Sequence, residues 1–176
     1  MQRHGSLTIL EIGTLYGTSA AYLASNPANH VVTVDLDVKV KDRVAKLGFP
    51  NIKVFIGNSL LIADQVAREG PFDFAFIDGN HIFEAVYGDY VLYRKSMKPG
   101  GFMFFDDIHH PVGWPEMDVF WSRVTKEPKT ELPALHDKGF GVVKVDPSVS
   151  PLPLESLKEE AEREIWSKRY LANNKT

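Results

Sequence analysis

The sequence predicts an α/β fold, with a single doubly wound and mostly parallel β-sheet that carries helices on both faces. Short apolar runs of strand length alternate with helix-like segments over about the first 107 residues. These runs are nearly all apolar, which is typical of buried parallel strands rather than of strands with one solvated face. The chain of 176 residues is long enough for one such domain and hardly for a second.

The first half of the chain predicts three strands, each followed by a helix. The first strand covers residues 7–12 (LTILEI), and a glycine-containing turn leads from it into a helix over residues 18–25 that Asn26-Pro27 ends. Two further strand–helix pairs follow, with strands at 31–35 and 51–56 and helices at 38–47 and 60–68. This repeated order of strand and helix favours a parallel sheet.

The second half continues the alternation as far as Asp107 and then changes. A strand at 72–77 (FDFAFI), a longer helix at 81–97 ended by Lys98-Pro99-Gly100-Gly101 and a strand at 102–105 complete the regular part. The remaining predicted elements are a helix at 114–124, strands at 130–135 and 139–145, a Pro/Ser-rich connector at 146–153 and a charged helix at 154–171. This last helix has one apolar side, formed by Leu154, Leu157, Ala161, Ile165 and Trp166.

Composition and charge exclude several classes of protein. Twenty Lys and Arg against 23 Asp and Glu leave a net charge of −3, which gives no global basic field to hold nucleic acid or an anionic membrane. The absence of cysteine excludes disulfide scaffolds, thiolate metal sites and cysteine nucleophiles, and it favours a cytoplasmic location. No apolar run approaches the ~18 residues of a membrane span, and Glu11 interrupts the first apolar stretch, which argues against a signal peptide.

Two glycines, Gly13 and Gly17, lie between the first strand and the first helix, where glycine allows a tight turn and lets a ligand approach the backbone amides. Leu15 stands where the dinucleotide fingerprint G-x-G-x-x-G has its second glycine, so the turn suits NAD or FAD poorly. Asp35 ends the second strand, where an acid can accept both hydroxyls of a ribose. The alternatives are plain turn chemistry for the glycines and a helix N-cap for Asp35, although Asp37 is better placed as the cap.

The turn Glu11-Ile12-Gly13-Thr14-Leu15-Tyr16-Gly17 and the acid after the second strand resemble the cofactor signature of class I S-adenosylmethionine-dependent methyltransferases. The resemblance implies a Rossmann-like sheet of seven strands with an antiparallel last strand, followed by a C-terminal helix. By position, Gly13 and Gly17 would border the methionine and ribose of S-adenosyl-L-methionine, and Asp35 would bind the ribose hydroxyls. Gly57-Asn58-Ser59 matches the family's loop beside the adenine, with the Asn58 carbonyl as acceptor. The cofactor-binding residues implied are Glu11, Gly13, Tyr16, Gly17, Thr18, Ser19, Asp35, Leu36, Asn58, Ser59 and Asp78.

A second group of polar residues follows the two strands predicted at the centre of the sheet. Asp78 and His81 follow the fourth strand, and Asp106 and Asp107 follow the fifth. Ligands of open parallel sheets bind beyond the carboxyl ends of the strands, so these acids should converge beside the glycine turn. Three carboxylates repel one another unless a cation lies between them, and such ligands suit Mg²⁺, Mn²⁺ or Ca²⁺. The alternative is that Asp78 and Asp107 cap the following helices and that His81 is a surface residue.

This second pattern resembles a narrower group, the metal-dependent O-methyltransferases of the catechol and macrolide-sugar types. Asp78, His81, Asp106 and Asp107 match the metal and base cluster of the sugar enzymes, and the resemblance covers roughly residues 7–145. It implies that Asp78, Asp106 and Asp107 bind a divalent cation such as Mg²⁺. It also implies that Asp78 and His81 are catalytic, with His81 as the general base. This sequence begins almost at the first strand, whereas such relatives usually carry N-terminal helices over the substrate.

Three functions remain open at this point. The favoured one is transfer of a methyl group to a small-molecule hydroxyl of a sugar, a catechol or a polyketide-type alcohol, with His81 taking the proton and a metal ion assisting. The second is a different nucleoside-cofactor enzyme, either a metal-independent methyltransferase or an NAD-linked oxidoreductase. The third is a non-catalytic nucleoside-binding module.

The other predictions concern organisation and secondary residues. We expect a cofactor-binding catalytic domain over residues 1–146 and a connector and helix over 147–176 that docks on the domain or on a second copy in a homodimer. His109 and His110 are predicted to be solvated or to lie behind the site. Glu84 and Asp89 are assigned to the polar face of their helix, and Trp114 to the substrate pocket or the core.

Overall fold

A single mixed sheet of seven strands forms the centre of the protein in its computed structural model, which describes residues 5–109, 115–124, 126–133 and 137–173, with side chains up to Arg169. The strands are β1 (Thr8–Ile12), β2 (His30–Asp35), β3 (Ile52–Ile56), β4 (Phe72–Ile77), β5 (Met97–Asp106), β6 (Lys129–Leu132) and β7 (Phe140–Lys144). The helices are α1 (Thr18–Leu23), α2 (Val40–Leu47), α3 (Ser59–Ala67), α4 (Phe83–Tyr93), α5 (Pro115–Arg123) and α6 (Leu154–Asn173).

The strand order is β3-β2-β1-β4-β5-β7-β6. Neighbours among β1 to β5 pair in parallel, and β7 runs antiparallel to both β5 and β6. The direction along the sheet reverses between β1 and β4, because β2 and β3 lie on one side of β1 and the later strands on the other. The predicted doubly wound sheet with an antiparallel last strand and a C-terminal helix is confirmed.

Two element boundaries differ from the sequence prediction for a tertiary reason. The helix predicted over 81–97 is the shorter α4, followed by a 3₁₀ turn over Arg94–Ser96. The strand predicted over 102–105 begins at Met97, which pairs with Phe72 before the register shifts. Pairing with β4 therefore extends β5 through Pro99-Gly100-Gly101, a segment whose local composition predicts only a helix end. Trp114 lies outside the described residues, and so do the last two residues of the strand predicted at 130–135.

The main hydrophobic core lies between one face of the sheet and the helices α3 to α6. Alternate residues of the strands, such as Leu10, Ile77 and Phe105, point into it, as the period of two in a strand requires. Three tyrosines of α4, Tyr87, Tyr90 and Tyr93, are fully buried there. A smaller cluster on the opposite face packs Ala24 beside α1 against β1 and β2.

The C-terminal helix α6 packs on α5 and on the main core. Leu157 is 6% exposed and Trp166 is 68% exposed, so Leu157 packs on the domain and Trp166 does not, whereas docking on a second copy stays a prediction. Trp166 follows Ile165 and lies about 100° further around the helix, which carries it away from the core. Arg123 of α5 pairs with Glu160 and Glu164 of α6 at 2.7 and 2.8 Å. Among the described helices, none is both long and apolar enough to cross a membrane.

Candidate active site

A cavity of about 600 Å³ opens at the carboxyl ends of the parallel strands. Its position beside β1 and β4, where the strand order reverses, is the place where open α/β sheets bind ligands. The predicted cofactor residues other than Glu11 and Gly17 line it, and so does His81. The lining residues that the sequence prediction did not name are Ile12, Thr14, Leu15, Val34, Gly57, Leu60, Gly79, Asn80 and Ala85. Most of them are sequence neighbours of the predicted residues, and their position in the turns is the signal that could have found them.

The glycine turn after β1 forms the floor of the cavity because the chain passes very close to β4 there. Gly13 has φ +95°, and a Cβ atom on it would lie 2.0 Å from the carbonyl oxygen of Asp78. Leu15 also has a positive φ, 50°, which a residue with a side chain adopts only when its surroundings hold it. The Leu15 amide donates to Asp35 Oδ2 at 2.9 Å, and its carbonyl accepts from Arg43 Nη1 at 3.0 Å.

Asp35 supports the turn and lines the cavity at the same time. Its Oδ2 atom accepts hydrogen bonds from the amides of Thr14 and Leu15, and its Oδ1 atom accepts one from the amide of Asp37. Burial alone would raise the pKa of Asp35, but these backbone hydrogen bonds outweigh it and hold the pKa below its ordinary value. Asp35 is therefore ionised at neutral pH, and a carboxylate in this state suits the hydroxyls of a ribose.

Glu11 lies beneath the glycine turn and is not among the residues that line the cavity, and its role in cofactor binding stays a prediction. Its side chain is fully buried, and Thr33 Oγ1 donates a hydrogen bond to Oε2. Burial raises the pKa of Glu11 to about 7, although hydrogen bonds from Ser19 and Thr33 oppose the rise. Gly17 also lies outside the lining and serves as the N-cap of α1 with φ 80°.

Asn58 lines the cavity, but its side-chain carbonyl also has a structural role. Its Oδ1 atom accepts a hydrogen bond from the amide of Leu60 at 2.9 Å, which caps the N-terminus of α3. The carbonyl that the sequence assigns to the adenine amine is thus already engaged by the backbone.

Asp78 and His81 come together at the β4 side of the cavity. His81 Nε2 lies 3.6 Å from Asp78 Oδ1, and the His81 side chain is mostly buried. The nearby Asp78 carboxylate raises the pKa of His81 above its ordinary value, with Asp107 and Asp106 adding to the effect and burial opposing it. His81 precedes α4 rather than lying on it, and Asn80 Oδ1 accepts from the Ile82 amide at 3.0 Å. The loop after β4 therefore fixes the pair.

The predicted metal ligands do not form a metal-binding group. In the part of the chain that the structure describes, no three His, Asp or Glu side chains are arranged to hold a metal ion. Asp107 Oδ2 instead lies 2.9 Å from the ammonium of Lys138, which supplies positive charge to this carboxylate. Asp107 also has φ 54°, a conformation that directs its backbone away from a regular strand end. The residues as placed do not fit a divalent ion, and a metal role stays a prediction.

The other residues singled out by sequence have structural partners. His109 lies between Asp118 and Glu131, with ring nitrogens 3.0 and 3.1 Å from their carboxylate oxygens, and Asp118 is the larger cause of its raised pKa. Glu84 is exposed, as the polar-face prediction requires. Asp89 is buried, which corrects its assignment to the polar face. His110 and Trp114 lie outside the described residues.

The fold and the cavity together define an α/β protein with a ligand cavity at the switch point of its sheet. The family described as "Methyltransferase domain" matches residues 10–108, which include the glycine turn, Asp35, Asp78 and both aspartates at the end of β5. This match covers more than half of the chain. The chain therefore belongs to this methyltransferase family, and its fold is that of the class I S-adenosylmethionine-dependent enzymes.

Individual relatives agree with this assignment. The chain is 32% identical over 111 residues to the O-methyltransferase imqG of Aspergillus flavus, an alignment covering 56% of this chain and 44% of that protein. This chain spans about half the length of the curated relatives it matches. The O-methyltransferase TomG of Streptomyces achromogenes, solved with SAM, is 24% identical with a TM-score of 0.65, covering 79% of this chain and 73% of TomG.

A third similar structure is MycE of the mycinamycin biosynthetic pathway, solved with Mg, S-adenosylhomocysteine and mycinamycin VI. It is 19% identical with a TM-score of 0.60, and the superposition covers 82% of this chain and 46% of MycE. At this identity the similarity establishes the common fold.

Proposed function

We propose that this chain binds S-adenosylmethionine in the cavity and transfers its methyl group to a hydroxyl of a small molecule. One observation carries the proposal, namely that a single cavity connects the Asp35 carboxylate with the Asp78–His81 pair. The Asp35 carboxylate can accept hydrogen bonds from ribose hydroxyls, and His81 can act as a base with Asp78 as its carboxylate partner. The O-methyltransferase imqG, a relative of this chain, supports the same reaction class.

In the proposed reaction, one group of residues binds the cofactor and another transfers the proton. When bound, S-adenosylmethionine supplies a methyl sulfonium, whose S–CH₃ bond breaks as the O–CH₃ bond forms and whose electron pair stays on sulfur. Asp35 and the glycine turn would hold the nucleoside, and the Asp78–His81 pair lies in the same cavity. With its proton on Nε2 toward Asp78, neutral His81 has Nδ1 as its basic nitrogen and takes the hydroxyl proton there. Asp78 then stabilises the resulting imidazolium.

The finer parts of the sequence prediction enter this proposal in different ways. No step is assigned to a metal ion, because Lys138 pairs with Asp107 and the carboxylates do not gather into a ligand group among the described residues. The sugar or catechol nature of the acceptor remains a prediction from resemblance. The NAD-linked alternative is disfavoured, because the Leu15 side chain stands where a pyrophosphate needs glycine.

Two measurements test the proposal in sequence. Isothermal calorimetry of the wild-type protein with S-adenosylhomocysteine and with NAD⁺, each with and without Mg²⁺, tests which cofactor the protein binds. We expect S-adenosylhomocysteine to bind and NAD⁺ not to bind. Release of S-adenosylhomocysteine in the presence of sugar and catechol acceptors then measures turnover.

His81→Ala should retain cofactor binding and lose about 10²–10⁴-fold in turnover, the usual contribution of a positioned base. His30→Ala is the matched control, because His30 lies on β2 and pairs with Glu69 rather than with a cavity residue. Binding of NAD⁺ but not of S-adenosylhomocysteine would refute the assignment of S-adenosylmethionine as the cofactor. Full turnover by His81→Ala would refute the assignment of His81 as the base.

A further inference from the structure

Leu15 in the glycine turn has a backbone conformation that costs free energy. Its φ is 50°, in the left-handed region, where a residue with a side chain is disfavoured. The dinucleotide fingerprint has a glycine at this position, and glycine adopts a positive φ without this cost. The Leu15 side chain is 63% exposed, so packing in the core does not hold the residue. The contacts of its backbone therefore maintain the conformation.

Two charged side chains from outside the turn hold the backbone of Leu15. Its amide donates to Asp35 Oδ2 at 2.9 Å, and its carbonyl accepts from Arg43 Nη1 at 3.0 Å. Asp35 ends β2, and Arg43 lies on α2, 28 residues after Leu15. The amide and the carbonyl belong to the two planar peptide groups on either side of the Leu15 Cα atom. Because each of these groups is held by one hydrogen bond, φ and ψ of Leu15 are both restricted.

The guanidinium of Arg43 also joins the turn to the loop after β2. Its Nη2 atom lies 3.0 Å from Asp37 Oδ2, and its Cζ atom lies 5.6 Å from the centre of the Tyr16 ring, a cation–π contact. A planar guanidinium with several N–H donors can contact a carbonyl, a carboxylate and a ring at the same time. The Asp37 amide in turn donates to Asp35 Oδ1 at 2.8 Å. Arg43 thus connects the two loops that hold the Asp35 carboxylate.

We propose that Arg43 is a positioning residue that holds Leu15 in the left-handed conformation and thereby keeps the turn and the Tyr16 ring in the arrangement that binds the cofactor. Leu15, Tyr16 and Asp35 line the cavity, and Arg43 acts through them. Its contacts replace the conformational freedom that glycine would give this position. Without Arg43 the turn would populate other conformations, and the apparent affinity would fall with the fraction of molecules that keep the binding arrangement. This inference rests on the proposed function, since it requires that the cavity binds an S-adenosyl cofactor.

The test is a double-mutant cycle in which calorimetry measures the affinity for S-adenosylhomocysteine. Arg43→Met removes the guanidinium and keeps an unbranched side chain, and it should lower the affinity about tenfold. In Leu15→Gly the turn adopts a positive φ without support, so adding Arg43→Met to this variant should lower the affinity by no more than about threefold. Lys46→Met removes an exposed cation from the same helix, and as the matched control it should leave the affinity unchanged.

Hydrogen exchange of the ligand-free protein gives a second readout that does not depend on cofactor binding. The Leu15 amide, which donates to Asp35, should exchange about tenfold faster in Arg43→Met than in the wild type. In Lys46→Met its exchange should not change. Unchanged exchange of this amide in a folded Arg43→Met variant would show that Arg43 does not hold the turn, and it would overturn the inference.

The calorimetric outcomes separate this inference from the proposed function. A wild-type protein that does not bind S-adenosylhomocysteine overturns both. Wild-type binding with an affinity of Arg43→Met that stays within about twofold overturns the inference alone. An equal loss with Leu15 and with Gly at position 15, or in Lys46→Met, overturns it as well, because the effect would then be independent of the Leu15 conformation. If Arg43→Met does not fold by circular dichroism, Arg43→Gln, whose side chain is shorter, takes its place with the same expected loss.

Discussion

Glu11 makes the stability of this protein depend on pH in a way that can be calculated. Its pKa is raised from 4.5 to about 7 by burial under the glycine turn. A carboxyl group with a raised pKa in the folded state stabilises the fold at low pH, and this stability is lost as the pH rises from 4.5 through about 7. At about 1.4 kcal/mol for each pKa unit, the full loss is roughly 3 kcal/mol, of which about 2.5 kcal/mol falls between pH ~5 and pH ~8.

Glu11→Gln removes this titration while keeping the size of the side chain and an oxygen for the Thr33 hydroxyl. The free energies of unfolding of wild type and variant, measured with urea at several pH values, should therefore diverge. Relative to the wild type, the variant should gain about 2.5 kcal/mol between pH ~5 and pH ~8. Comparing the two proteins cancels the titration of other groups, including buried Asp89. Parallel stability profiles for the two proteins would refute the assignment of a buried, protonated Glu11.

Three further predictions test the cofactor site, the core and the acidic rim. Asp35→Ala should weaken S-adenosylhomocysteine binding by about 1.5–3 kcal/mol in calorimetry, and unchanged binding in a folded variant would contradict the ribose assignment. Leu157→Ala should lower the free energy of unfolding by about 2–5 kcal/mol, whereas Trp166→Ala on the exposed side should change it by less than about 1 kcal/mol; equal effects would contradict the packing of α6. Lys138→Met removes an ammonium from the rim and should raise Mn²⁺ affinity in electron paramagnetic resonance titrations. Lys98→Met, in an aspartate pair at the other end of the sheet, should not raise it.

Where the physical signal is local, the sequence is sufficient. Strands β1 to β4 can be recognised in the sequence as apolar runs, because a buried parallel strand needs apolar residues on both faces. The turn can be recognised from Gly13 and Gly17, because few residues other than glycine adopt a positive φ. Asp35 follows from its place at the end of β2, and the C-terminal edge of the sheet then brings it to the same cavity as Asp78 and His81. These features require only neighbouring residues and the rules of strand order.

Where the decisive contact joins residues far apart in the chain, the tertiary structure alone determines the outcome. Glu84 and Asp89 are both acids on α4, yet Glu84 is exposed and Asp89 is buried, because the packing of the neighbouring helices on α4 decides which side is covered. Lys138 meets Asp107 from 31 residues away, and this pairing changes the charge that a metal ion would encounter. Thus the amino-acid pattern determined the sheet, the glycine turn and the position of Asp35. The fold decided which carboxylates are paired or desolvated, because these properties depend on the neighbours that packing brings together.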